Sequence, residues 1–252
     1  MIMENAFLFG IIGAFIGSFL NVIAYRLPRG ESFVLPPSHC PHCQHRLGAF
    51  DLIPLLSFMG LRGRCRYCRY KISWRYPLVE LATGFITLLW WLGYGQNGLN
   101  GQNIVFLVLC YVLIVIALID IDCHVIPDQI TIPFTVIELG YQAVIGNLWG
   151  GIIGFIVGGG VLLLIYLVYS RGMGLGDVKL LAMTGAFIGW EKALVVLFFG
   201  SVLGVAIMLP MLMRRQMNRK TPFAFGPFLV LATFSVIYRW DLFVKILPFL
   251  PR

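Results

Sequence analysis

Apolar residues fall into eight runs along the chain, at roughly 6–25, 77–94, 103–119, 130–147, 151–169, 178–190, 193–213 and 226–248. Several approach the ~20 apolar residues that a helix needs to cross a bilayer. The pattern predicts an all-α polytopic membrane protein with about eight transmembrane helices. The links between runs are short, with one exception. Residues 26–76 are the only stretch long and polar enough for a soluble subdomain. The link at 93–103 carries glycine, asparagine and glutamine but no charge, and reads as a turn.

Composition agrees with the pattern. The 252 residues are 59% hydrophobic and 12% charged, with a mean hydropathy of +0.87, outside the range of soluble domains. The first run is no cleavable signal peptide, because its start is acidic and it lacks a small-residue cleavage site. A net charge of +8 raises the question of nucleic acid. Topology answers it better: fifteen of the nineteen basic residues lie in the alternate links 26–76, 120–129, 170–179 and 214–225. By the positive-inside rule those links face the cytoplasm and both termini lie outside. The partner expected from this pattern is the lipid bilayer, not nucleic acid.

Charge beside membrane-length apolar sequence is costly and marks function. Two stretches carry it: Gly172 to Lys179 (GMGLGDVK) and Leu118 to Asp128 (LIDIDCHVIPD). The run that follows Asp177 is only about 13 residues, a helix of about 20 Å, too short for a hydrocarbon core of about 30 Å. Irregular backbone at membrane depth is tolerated only where protein or a wet cavity surrounds it, so Asp177 is expected to be recessed and hydrated. A helix opening at Val178 and Lys179 would set its positive end beside that carboxylate. Two aspartates that share a site cannot both ionise easily. One then draws a proton from water while the other protonates the amide and its leaving amine. Neither a covalent intermediate nor a metal is needed. Position alone does not choose among Asp120, Asp122 and Asp128, and Asp128 after Pro127 also suits a helix N-cap. Lys179 could pair with a carboxylate or anchor at the interface.

Cys40 with Cys43, and Cys65 with Cys68, make two C-x2-C pairs separated by 21 residues. Two thiolate hairpins at that spacing predict a structural zinc ribbon. A reducing inner compartment argues against disulfides. His39, His42 and His45 read as bystanders to the cysteines, Cys110 as an apolar filler, and Cys123 as incidental.

The chain resembles the bacterial prepilin peptidases, the type IV leader peptidases among GxGD membrane aspartyl proteases, over nearly its whole length. The motifs run in order: Gly17 to Val22 (GSFLNV) with Tyr25 to Pro28 (YRLP), the paired C-x2-C knuckles, and Arg75 to Ala82 (RYPLVELA). Ile119 to Asp122 (IDID) with Ile126 to Asp128 (IPD), Gly174 to Lys179 (GLGDVK) and Phe225 to Phe228 (FGPF) follow.

The resemblance implies that Asp120 and Asp177 are the catalytic pair, with Asp122 and Asp128 secondary. It implies substrates that are prepilin or pseudopilin precursors of pilus, secretion or competence systems, cut after a glycine at the cytoplasmic face of the bacterial inner membrane. It implies, too, that the new N-terminal amine is methylated with S-adenosylmethionine, although no G-x-G-x-x-G loop is present. The methyl-transfer region would comprise Ser18 and Asn21 in a Gly17–Asn21 turn, the cysteine subdomain and the Arg75–Glu80 stretch, with Glu80 nearest the substrate amine or cofactor. The expected organisation is a first helix (1–25), a cytoplasmic zinc subdomain (26–76) and a peptidase domain (77–252). A peptidase whose cysteine domain is purely structural is one alternative. A transporter with a carboxylate relay is another, but it requires mirrored halves, and the two acidic stretches do not resemble each other.

Overall fold

The computed structural model describes residues 2–98, 100–168, 173–213 and 223–246. Gly172 and Arg171, and the basic residues Arg214, Arg215, Arg219, Lys220 and Arg252, lie outside these ranges. The described chain is helical and has no strand, only two isolated antiparallel bridges. The helices are α1 (Ile2–Arg26), α2 (Leu56–Gly60), α3 (Arg75–Gly93), α4 (Gly101–Cys123), α5 (Asp128–Val144), α6 (Leu148–Val168), α7 (Leu175–Ile188), α8 (Trp190–Met213), α9 (Gly226–Tyr238) and α10 (Trp240–Ile246).

Each of the eight apolar runs is helical, but they differ in reach. Among the described residues, α1, α3, α4, α6 and α8 are long and apolar enough to cross a membrane. α5, α7 and α9 are shorter, at 17, 14 and 13 residues. The eighth run is not one helix: it breaks after Tyr238, where Arg239 leaves helical geometry, and resumes as α10.

The chain divides into two compact units, Met1–Val115 and Ile116–Arg252. In the first, α1 packs along α3, and the stretch 30–74 forms the cysteine subdomain between them. Polar atoms within this helix layer find partners on neighbouring helices, as a lipid surround favours. Trp90 Nε1 donates to the Asn103 carbonyl at 2.7 Å, and the hydroxyls of Thr87 and Tyr111 bond at 2.8 Å.

The second unit is built around one of its shorter helices, α7. α5, α6, α8 and α9 all pack on α7, whose Leu180, Leu181, Met183 and Ala186 are almost fully enclosed. Lipid is as apolar as leucine, so close packing rather than water exclusion must hold helices together there. Gly154 of α6 meets the backbone of Gly185 of α7, where a side chain on either residue would not fit. A helix too short to span is thus hidden by longer neighbours, and its N-terminal end is free to carry a recessed polar group.

Candidate active site

Three helix ends converge on one buried isoleucine. α4 stops at Cys123 because His124 takes a left-handed conformation (φ 53°), its N–H returning to the Asp120 carbonyl at 2.9 Å. Pro127 then prevents the helix from resuming at once. The reversal turns Ile126 inward, where it is 6% exposed. An added Cβ on Gly176 would lie 2.9 Å from Ile126 Cβ, and one on Gly226 would lie 3.4 Å from Ile126 Cδ1. Glycine at 176 lets the first turn of α7 close on that side chain, while α9 meets it at ordinary contact distance.

This convergence sets the carboxylates. Asp120 is buried on the last turns of α4, and its Oδ2 accepts the Gly226 N–H at 2.9 Å. That donor opens α9, where the first N–H groups have no partner within the helix and the dipole is positive. Asp177 is buried in the first turn of α7, three residues after the N-cap Gly174 and beside the positive end of the helix. α7 begins at Leu175 rather than at Val178, so Asp177 belongs to the helix instead of preceding it. Asp120 lies within electrostatic reach of Asp177. Two buried acids thus share one neighbourhood, each facing a helix N-terminus.

The other acids are placed apart. Asp122 and Asp128 are exposed. Asp128 is the first residue of α5, with Pro127 at the N-cap and no capping side chain, so the cap expected of it is absent. Its carboxylate takes Lys179 Nζ at 2.6 and 2.8 Å. Sequence reasoning missed Gly226 and Ile126; the FGPF and IPD motifs that hold them were visible, but not what either residue touches.

A second polar cluster lies in the first unit. Gly17 to Asn21 is continuous helix within α1 rather than a turn. There Ser18 faces Glu80, and Glu80 Oε2 accepts the Leu55 N–H at 2.8 Å. Leu55 is held at φ 61°, a left-handed conformation that a branched residue adopts only under constraint. Asn21 donates to the carbonyls of Gly17 and Tyr76, at 3.2 and 3.4 Å, while its buried Oδ1 has no partner. An acceptor in that condition fits a ligand that brings an N–H or a positive charge.

The four cysteines come together. The sulfurs of Cys40, Cys43, Cys65 and Cys68 all lie within 4.8 Å of one another. Each pair sits on a matching knuckle: Cys40 N–H bonds the His45 carbonyl at 3.0 Å, and Cys65 N–H bonds the Tyr70 carbonyl at 2.9 Å. Gln44 and Arg69, each next after the second cysteine, have φ of 58° and 59°. The knuckles clasp reciprocally. His42 stacks on Tyr70 at 4.4 Å, and His45 lies over Tyr67 at 3.6 Å. His42 and His45 therefore serve as ring partners between the knuckles. The Cys68 N–H aimed at Cys65 outweighs burial and draws that thiol down to about 7. Four crowded sulfurs of this kind fit a tetrahedral divalent ion such as zinc. Cys110 is fully buried in α4, as an apolar filler should be.

Asp51 braces the second knuckle, accepting Arg66 Nε at 2.6 Å, the Gly48 N–H at 3.1 Å and the Tyr67 hydroxyl at 3.3 Å. Desolvation pushes its carboxyl up, but these donors, the Arg66 bond foremost, hold it below the ordinary value.

Comparison with known proteins divides the chain similarly. The model of the bacterial peptidase A24 N-terminal domain matches residues 11–94, and that of the type IV leader peptidase family matches residues 107–209. A prepilin leader peptidase/N-methyltransferase of Stutzerimonas stutzeri is 35% identical, the alignment covering 88% of this chain and 86% of that protein. The protein of that name from Aeromonas hydrophila is also 35% identical, over 90% of this chain and 87% of its own length. The one from Pseudomonas aeruginosa is 34% identical, over 88% and 86%. No solved structure matches.

Proposed function

Since the chain belongs to the type IV leader peptidase family, we propose that it removes the leader of prepilin-like precursors and methylates the amine so exposed. The observation that carries the peptidase half is the burial of Asp120 and Asp177 in one neighbourhood, against two helix N-termini. One carboxylate takes a proton from water, which attacks the scissile carbonyl. The partner carboxyl, carrying the shared proton, protonates the carbonyl oxygen and takes that proton back as the gem-diol collapses, while the first carboxyl hands the proton drawn from water to the leaving amine. The Gly226 N–H fixes the orientation of Asp120 throughout, so its free oxygen faces the water. The distribution of basic residues supports placing this chemistry at the cytoplasmic face.

The Asn21–Glu80 cluster supports the methyl-transfer half. Asn21 Oδ1 and the Glu80 carboxylate are two acceptors on adjoining helices, suited to hold an N-terminal ammonium and take its proton. S-adenosylmethionine, when bound, would supply the methyl group. Cys40, Cys43, Cys65 and Cys68 would hold a structural zinc, and with it the shape of the subdomain.

The test is direct. Purified protein, a prepilin-like substrate and S-adenosylmethionine are combined, and the products are read by mass spectrometry. Removal of the leader and one added methyl on the new amine are expected. An intact substrate would refute the peptidase reading, and a cut but unmethylated one would refute the methyl-transfer reading.

A further inference from the structure

Three arginines of the cysteine subdomain line a single cavity. Arg62, Arg64 and Arg69, with Gly60 and Leu61, enclose about 420 Å³. All three are exposed, and among the described residues none has an ion-pair or side-chain hydrogen-bond partner, although Arg66 close by is matched by Asp51. Unneutralised cations gathered around one concavity raise its potential and concentrate anions there. Backbone geometry commits them to that place. Arg62 and Arg69 both lie in the left-handed region, at φ 51° and 59°, where side chains other than glycine and asparagine carry a cost.

The surroundings say which anion. The Gly63 carbonyl accepts the Ile72 N–H at 2.8 Å, so the cavity wall is stitched to the strand of chain that enters α3 three residues later. Trp74, at that entry, is 70% exposed, and Leu56 and Met59 of α2 are 67% and 72% exposed. Trp74 packs on Phe58 at 4.9 Å, joining α2 to the foot of the membrane helix. An exposed tryptophan with apolar neighbours at the mouth of a membrane helix is the signature of headgroup depth. Arginines at that depth meet lipid phosphates, which their planar forks bind bidentately.

We propose that Arg62, Arg64 and Arg69 form a binding site for the phosphate of an anionic lipid, with Trp74 and α2 resting at the level of the headgroups. The site does not depend on the function of the polar clusters described above.

The full-length protein in nanodiscs tests this with spin-labelled lipids, comparing the immobilised fractions of phosphatidylglycerol and phosphatidylcholine. The wild type should prefer phosphatidylglycerol severalfold, because its charged groups attract anionic headgroups. The Arg62→Gln/Arg64→Gln/Arg69→Gln variant should fall to near parity. The corresponding triple lysine variant keeps the charge, loses the fork and should lie between, which separates recognition from misfolding of the glutamine variant. An unchanged preference in the glutamine variant overturns the proposal. So does displacement of the labelled lipid by inorganic phosphate where chloride of equal ionic strength has no effect, because the occupant is then a soluble anion.

Discussion

Asp120 and Gly226 are 106 positions apart, yet the Gly226 N–H reaches Asp120 Oδ2 at 2.9 Å. The contact joins the last turns of α4 to the first residue of α9. It leaves no room for a side chain, because a Cβ on Gly226 would stand 2.7 Å from that same oxygen. Gly226→Ala should therefore push Asp120 away from its donor. A misplacement of about 1 Å at a reacting group can cost about a hundredfold, and kcat for leader cleavage should fall by at least tenfold. Methylation of an already cut substrate should not change. Cleavage at the wild-type rate would show that the contact does not orient the acid.

Asp128 and Lys179 tie the start of α5 to the N-terminal part of α7, which carries Asp177. Both are exposed, so the pair should add little to stability, about 0–1 kcal/mol. Its effect should instead be on geometry. Asp128→Asn and Lys179→Met should each lower kcat with KM nearly constant, and the exchange Asp128→Lys with Lys179→Asp should restore much of the loss. Strictly additive losses in the exchanged protein would rule this out.

Zinc content gives a separate check on the first unit. One ion per chain is expected by elemental analysis, and Cys40→Ser with Cys43→Ser should abolish it. Histidine replacements bear on a different point: His42→Ala should retain the metal, because that ring stacks on Tyr70. Loss of metal in the histidine variant would make His42 a ligand.

How far the sequence foretold this arrangement can be judged residue by residue. The helices were legible because hydropathy reports which stretches can lie in lipid, whatever they pack against. Their ends were less so. α7 starts at Leu175 rather than Val178 because Gly174 caps it, and the eighth run breaks at Arg239. The cysteine cluster was legible because metal-ligand spacing is local. Spacing could not choose among Asp120, Asp122 and Asp128; burial separates them, and only tertiary structure confers burial. The contacts of Ile126 with Gly176 and Gly226 were hidden for the same reason.

Asp51 carries the expected pH dependence. Its folded pKa is lowered, so it stabilises the fold above the unfolded carboxylate value of about 3.9, and that contribution disappears as pH falls through the folded value. Thermal unfolding of the wild type and Asp51→Asn, followed from neutral pH into acid, should show the wild type more stable near neutrality. The two curves should converge below the ordinary carboxylate range. A gap that persists or widens in acid would mean that the Arg66 bond does not act through the ionised carboxylate.

The central claim is that Asp120 and Asp177 act together on one water. It is tested most directly by the single variants Asp120→Asn and Asp177→Asn, each purified and given both an intact prepilin-like substrate and a pre-cut one. The account predicts that each loses cleavage of the first while still methylating the second. Cleavage at the wild-type rate by either variant would contradict it.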